Sequence, residues 1–414
     1  MEELILNPAN LFNFGTRVTN TSDSGPGSLR EAINFANLQP GADIITFEGD
    51  IFNNSFPHVI TLESGELTIT DSLTIDGDLN DDGIIDIIID ANQQSRVFNI
   101  DDGNGIADTT VTLEGLTIRG GNVIGLGGGI LNRENLTVRN SHITQNSAIT
   151  SGSVIGEGGG INNDGGMLTV ENSTLSNNSA TRFSGAIDND RGILNVSNST
   201  ISGNTSASSG GIATHLGTAT ISNSTIADNS GIGLVNGSRS STTVTSTIIA
   251  ENGRDLFSVV PFTSGGHNLI GNGTGATGFT DGINNDWVGT SANPIDPLIG
   301  PLEDNGGGTP THELFFGSPA LNRGSNPNNL EFDQRGEGFP RLLNPINRLM
   351  LSDDLSIFSN AIDIGALEVE FGGIDPEILI PIMPEIPIPM VNPILGAADI
   401  VPTSEIADTS NTFL

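Results

Sequence analysis

LTVRNSHI (136–143), LTVENSTL (168–175), LNVSNSTI (194–201), ATISNSTI (219–226) and the degraded TTVTSTII (242–249) are copies of one unit, apolar-x-apolar-x-Asn-Ser-Thr-Ile. Their starts lie 32, 26, 25 and 23 residues apart. A repeat of this period marks a solenoid, in which each unit buries its apolar face only by stacking on its neighbours. Within a unit, apolar and polar residues alternate over four to five positions, which is strand periodicity. Leu136, Val138 and Ile143 are expected to face one core, and Thr137, Arg139 and His142 to face water.

Two asparagine columns run in phase with the apolar ones: Asn140, Asn172, Asn198 and Asn223, and Asn146, Asn178, Asn204, Asn229 and Asn252. Stacked at the ~4.8 Å spacing of adjacent strands, their amides are placed to hydrogen-bond in ladders. GGGI (127–130 and 158–161), SGAI (184–187) and SGGI (209–212) supply corners where glycine permits positive φ and close backbone approach. Three short strands, a turn and a Gly corner fit in about 25 residues, one coil of a parallel β-helix. The fold expected is all-β, a right-handed parallel β-helix of roughly ten coils with an N-terminal capping helix and a C-terminal cap segment.

Around this core the chain divides into an N-terminal cap (1–42), the β-helix (43–300), a turn-rich segment (301–371) and a Pro-rich apolar tail (372–414). Ser28 and Glu31 in SLRE form a capping box for a short helix, with Ala32, Ile33 and Ala36 on one face and Pro40-Gly41 as its stop. Such a helix covers core and strand edge that the solenoid end would otherwise expose. ILIPIMPEIPIPMVNPIL (378–395) carries too much apolar surface for a linker, so it is expected to dock on its own β-helix or on the next copy, giving a head-to-tail assembly.

The formal charge is −35, there is no Cys, and all 14 basic residues are Arg. This composition excludes disulfides, thiol chemistry, a Walker A lysine and a lysine Schiff base, and argues against nucleic acid or an anionic membrane as partner. MEELILNPANLF (1–12) shows no Sec signal, and no stretch approaches the ~20 apolar residues of a membrane span. The polar C-terminus, ending NTFL, resembles an uncleaved type I secretion signal.

VTNTSDSGPGSLREAI (18–33) resembles the domain named for its CSLREA motif, with Gly27 in place of Cys. The GGGI and NSTI repeats resemble the β-helices of the pectate-lyase-like superfamily and of polymorphic outer membrane proteins. NGGGTPTHELFFGSPALNRG (305–324), DQRGEGFPR (333–341) and AIDIGALE (361–368) resemble the choice-of-anchor Q domain, with Gly308 for the usual Pro and Asn322-Arg323 for an acidic pair. These resemblances imply an exported bacterial protein, extracellular or on the cell surface, and leave its activity open.

The leading ion site is DGDLNDDGIID (76–86). With Asp78 as position 1, Asn80, Asp82, Gly83, Ile84 and Asp86 fall at 3, 5, 6, 7 and 9 of an EF-hand-like calcium loop, Ile84 giving its backbone carbonyl. Position 12 is Ile89, so the bidentate carboxylate must come from Asp76 or Asp90; the plain reading is a solvated Asp/Asn/Gly turn. DDGNGIAD (101–108) is a looser acidic cluster.

No catalytic set is legible. Glu114, Arg139, Glu171, Ser197 and Ser222 form an outward column suited to a salt-bridge ladder, and His267 reads as a turn residue with no Asp cluster beside it in sequence. His312, Asp333 and Arg335 could form a polar cluster, the favoured reading being structural pairing of Asp333 with an Arg, and His58 and His215 are isolated and carry no signal. The Thr columns, among them Thr174, Thr200 and Thr225, bring a flat ice-binding array into view, but the two-Thr strand pattern is not sustained. The expectation is therefore a non-enzymatic surface or extracellular structural or adhesive protein binding a surface or matrix polysaccharide or copies of itself. The alternative is a calcium-dependent polysaccharide lyase or glycoside hydrolase.

Overall fold

The computed structural model describes residues 15–52, 57–342 and 362–369. Three parallel sheets run the length of the β-helix: a first of ten strands from Arg17–Val18 to Thr263–Gly266, a second of ten from His58–Thr61 to Trp287–Val288, and a third of eight from Leu67–Ile69 to Arg254–Ser258. One coil takes one strand from each, as in Asn135–Arg139, His142–Thr144 and Ile161–Asp164. The chain is a right-handed parallel β-helix, the hand that parallel crossover connections adopt.

The columns read from the repeat are the registers observed. Leu136 pairs with Leu168 and Val138 with Val170, and these pair onward with Leu194 and Val196. Ile143, Leu175, Ile201 and Ile226 stack in the second sheet, and Ile130, Ile161, Ile187 and Ile212 in the third. All are buried in one continuous core. Where the repeat degrades, Thr242 takes an inward position and hydrogen-bonds through its hydroxyl to Asn236 Oδ1 at 3.0 Å.

The helix Leu29–Ala36 buries Leu29, Ala32, Ile33 and Ala36 against the first coils. Ser28 Oγ accepts from the Glu31 N–H at 3.2 Å, and the Glu31 carboxylate reaches back to the Gly27 N–H at 2.7 Å, one residue earlier than a strict capping box. At the other end Phe262 and Phe279, centroids 5.4 Å apart, close the core.

The C-terminal segment covers a flank. It begins with Ile299–Glu303 paired antiparallel to Thr311–Leu314, then runs back over the outer face of the second sheet. Thr174 Oγ1 donates to the Pro310 carbonyl (2.6 Å), Thr200 Oγ1 to Gln334 Oε1 (2.6 Å), and Asn223 Nδ2 to the Ser325 carbonyl (2.6 Å). Leu314, Ala320 and Ile364 pack on Ile248, Ala250 and Leu269, which point outward from that sheet. The Thr174, Thr200 and Thr225 column is thus buried under protein, which removes a water-facing threonine array. The motif residues Asp333, Arg335, Arg341 and Glu368 converge inside this cover: Arg335 pairs with Asp333 at 2.6 Å and Arg341 with Glu368 at 3.3 Å. The expected docking of the Pro-rich tail falls on residues outside those described.

Candidate calcium-binding cleft

The 76–86 loop is an insertion at one corner of the solenoid. In later coils the chain passes from the first to the second sheet through a single left-handed residue, Asn140, Asn172, Asn198 or Asn223, with φ between 45° and 52°. In the coil of Leu73–Asp76 and Ile87–Asp90 the same corner instead carries the acidic loop. Gly77 starts it because a Cβ there would lie 2.6 Å from the Gly115 carbonyl of the next coil.

Backbone N–H groups turn the loop's side chains inward. Asp78 accepts from the Asp82 and Gly83 N–H groups (3.2 and 2.8 Å), Asn80 Oδ1 from the Asp82 N–H (3.2 Å), and Asp82 Oδ1 from the Ile84 N–H (2.9 Å). Asn80 Nδ2 also donates to Asp82 Oδ2 at 3.0 Å. Gly83 has the positive φ, 78°, that the motif asks of its sixth position. Asp78, Asn80 and Asp82 are therefore together, whereas Asp86 accepts from the Leu79 N–H at 3.1 Å and the Ile84 side chain is 55% exposed. Ile89 is buried in the core and cannot ligate. Of its two substitutes, Asp90 is held by Arg119 at 2.9 Å, which leaves Asp76. Burial first, then the nearby Glu114, Asp78 and Asp81 charges, raises the Asp76 pKa. Asp78, Asn80 and Asp82 supply hard oxygen donors of the kind a divalent ion takes, here engaged by the loop's own N–H groups.

The cover meets this loop. Gly308 sits so close to the Gly83 carbonyl that a Cβ on it would lie 2.0 Å away. Between them is an open cleft of about 600 Å3 lined by Asp78, Asp82, Asn140, Asn172, Asp304, Arg335 and Glu337.

The second acidic cluster contains a residue that the sequence reading missed. Oxygens of Asp101, Asp102 and Glu134 lie within 4.8 Å of one another. Glu134, one coil on, accepts from the Asp102, Asp108 and Thr109 N–H groups at 3.2 to 3.3 Å, and Asp101 pairs with Arg133 at 2.6 Å. Its carboxylate is the template of the 102–109 loop, and the coil period is the signal that relates the two.

The other singled-out polar residues are structural. Arg139 pairs with Glu114. His267 adopts φ 60° and hydrogen-bonds through Nδ1 to the Arg323 carbonyl at 2.8 Å. His312 is buried between the Gly300 carbonyl (2.7 Å) and Ser202 Oγ (2.8 Å). His58 stacks edge-on to Phe52 and His215 to Phe183. A carboxyl cluster on adjacent coils does exist, on the outer face of the third sheet, where Asp164 pairs in register with Asp190 and Asn162 with Asp188. Burial, then the charge of Glu157, pushes the Asp188 pKa up to about 8. Asp188 is 1% exposed, so no polymer reaches it.

No family model matches the chain, and no curated protein matches it. The N- and C-terminal motif resemblances therefore have no matching family model behind them. Among solved structures the chain is similar to the 1.7 Å crystal structure of Jun a 1, the major allergen from cedar pollen, with a TM-score of 0.36 and 16% identity over 64% of this chain and 80% of that one.

Proposed function

We propose that this chain is a non-enzymatic, calcium-binding β-helix that acts outside the cell or at its surface by holding a surface or matrix polysaccharide. The observation that carries this reading is the cleft between the 76–86 loop and the flank cover. Its walls are open carboxylates, two asparagines bonded side chain to side chain and one arginine, which suit a hydroxylated chain bridged by a divalent cation. Against catalysis by Asp188, whose pKa is pushed up to about 8, stands its burial beneath neighbouring side chains. Among the described residues no helix is long and apolar enough to cross a membrane. Self-association is less favoured by these features, because Leu29–Ala36 and the Phe262–Phe279 pair close the two ends of the coil stack.

An ion bound only by the folded chain stabilises it by RT ln(1 + [L]/Kd), about 2.7 kcal/mol at a hundredfold excess over Kd. The melting temperature is expected to rise with calcium, to fall with a chelator, and to respond less in Asp82→Ala. A panel of polysaccharides is expected to bind more tightly with calcium and to yield neither unsaturated nor reducing ends. Turnover abolished by one substitution would establish the lyase or hydrolase reading instead, and a melting temperature indifferent to the chelator would remove the ion.

A further inference from the structure

Trp287 is the only tryptophan in the chain and lies on the last rung of the second sheet, 37% exposed. The Arg323 guanidinium, from the flank cover, stacks over its ring at 3.6 Å from the centroid. Such a stack fixes the plane of the indole and holds a cation against it. Trp287 also lines an open depression of about 520 Å3, together with Ile295, Asp281, Thr290 and Asn293.

The polar lining groups keep hydrogen-bonding capacity. Asp281 accepts the Val288 N–H through Oδ1 at 3.1 Å, which leaves Oδ2 as an acceptor. Thr290 Oγ1 accepts the Asn293 N–H at 3.2 Å, so its own O–H is available to donate. Asn293 uses only its backbone N–H and carbonyl in that turn, leaving an amide that can donate and accept. A rigid aromatic plane with separate donors and acceptors at its edge matches a pyranose ring, which offers an apolar C–H face and hydroxyls that both give and take hydrogen bonds. Arg323 covers one face of the ring, which leaves the other for a sugar, and its exposed guanidinium is a complement for a sugar carboxylate in a chain of net charge −35.

We infer that this depression at the C-terminal end of the solenoid is a saccharide subsite, with Trp287 as its stacking platform and Asp281, Thr290 and Asn293 as its hydroxyl readers. It lies apart from the calcium cleft and shares with it only the expectation of a glycan partner. Because the chain has one tryptophan, its emission reports this site alone.

The test is a fluorescence titration of the full chain, with chelator present, against hexasaccharides of cellulose and of polygalacturonate. A saturable change in emission is expected with at least one, and a larger affinity for the galacturonate if Arg323 reads the carboxylate. Trp287→Ala and Asn293→Ala should each weaken binding tenfold or more by calorimetry, with unchanged far-UV circular dichroism, while Trp287→Phe retains most of it. Loss of the galacturonate preference in Arg323→Gln would assign the carboxylate to that side chain. Emission unmoved by either sugar, or a change that survives Asn293→Ala undiminished, overturns the subsite. Calcium-dependent binding by calorimetry with silent tryptophan emission would sink this site and leave the cleft standing; the reverse pattern would do the opposite.

Discussion

Asn204 and Asp188 are neighbours in the same stack of coils and are equally hidden, 0% and 1% exposed, yet they live in opposite chemical situations. Asn204 belongs to an unbroken amide ladder: Asn146 Nδ2 donates to Asn178 Oδ1 (3.0 Å), Asn178 to Asn204 (3.0 Å), Asn204 to Asn229 (2.9 Å) and Asn229 to Asn252 (2.9 Å). Each Oδ1 also takes a backbone N–H from the coil before, as Asn204 Oδ1 takes that of Asn178 at 3.0 Å. Asp188 has only Asn162 Nδ2 and Ser184 Oγ, both at 3.2 Å, and Asn162 Oδ1 above it is buried with no partner. An amide stacks indefinitely because it is donor and acceptor at once. A carboxylate is acceptor only, and in a dry column it is stable only when it keeps its proton.

Placing the second chemistry inside the first is the strongest way to break the contrast. Asn204→Asp sets a carboxylate against Asn229 Oδ1, acceptor to acceptor, in a site with no cation. An uncompensated buried charge costs ~3–5 kcal/mol, so the variant should melt far below the parent at pH 8 and recover part of the loss near pH 4, where the acid can donate. A melting temperature at pH 8 within two degrees of the parent would show the ladder to be dispensable.

The converse exchange, Asp188→Asn, should sharpen it. Burial raises the folded-state pKa from 3.8 to about 8. Below pH ~4 both folded and unfolded chains hold the proton, and the group costs nothing. Between pH ~4 and ~8 the unfolded chain releases it while the folded chain keeps it, so stability falls as pH rises, by about 1.4 kcal/mol per unit. Half-buried His142, on the outward face with its Nε2 2.8 Å from Ser176 Oγ, acts in the other direction. Desolvation lowers its pKa from 6.5 to about 4, so its stabilisation is complete above pH 6.5 and lost as pH falls toward 4. The two slopes oppose each other below pH 6.5, and since burial also raises the Glu368 carboxyl well above its ordinary value, Asp188 is read from the difference between parent and variant at pH 6.5–8. Urea denaturation across that window should show the slope reduced by about one proton in Asp188→Asn and the variant more stable at pH 8; an unchanged slope would mean that Asp188 ionises freely.

The same contrast explains what could be read from the sequence. The ladder was legible because its members recur at the coil period and bond their own copies and the adjacent backbone, so Asn146 predicts Asn178. The 76–86 loop was legible for the related reason that its hydrogen-bonded Asp and Asn residues are local in sequence. Glu134, Asp188 and the flank cover were not. Alternation assigns outward positions such as Asp188 to solvent, Glu134 lies outside the acidic motif that it organises from the next coil, and the cover's partners come from far along the chain, as when Gln334 reaches Thr174 and Thr200. One signal of the cover was present. In TTVTSTII the outward position held by Thr174, Thr200 and Thr225 becomes Ile248, followed by Leu269 one coil on, and what looks like decay of the repeat is a sheet turning apolar on its outer face because protein lies there.

The cover also supplies the smallest test, on a residue that belongs to neither chemistry. Thr200 is periodic like the ladder, but its hydroxyl is satisfied only by Gln334, whose amide in turn donates to Thr174 Oγ1 (2.8 Å) and Thr309 Oγ1 (2.9 Å). Thr200→Val keeps the branched shape and the strand propensity while it removes one donor and leaves Gln334 Oε1 in a buried site with nothing to accept from. One lost hydrogen bond of this kind costs ~1 kcal/mol and an orphaned buried acceptor somewhat more. Because the coil stack itself loses nothing, the loss should appear as local opening of the cover, with faster backbone hydrogen exchange at residues 309–314 and 333–336 and unchanged protection in Leu194–Val196 on the inner face. Exchange that quickens equally in both regions would mean that cover and coils unfold as one unit, and that the outer face is as integral to the solenoid as the amide ladder within it.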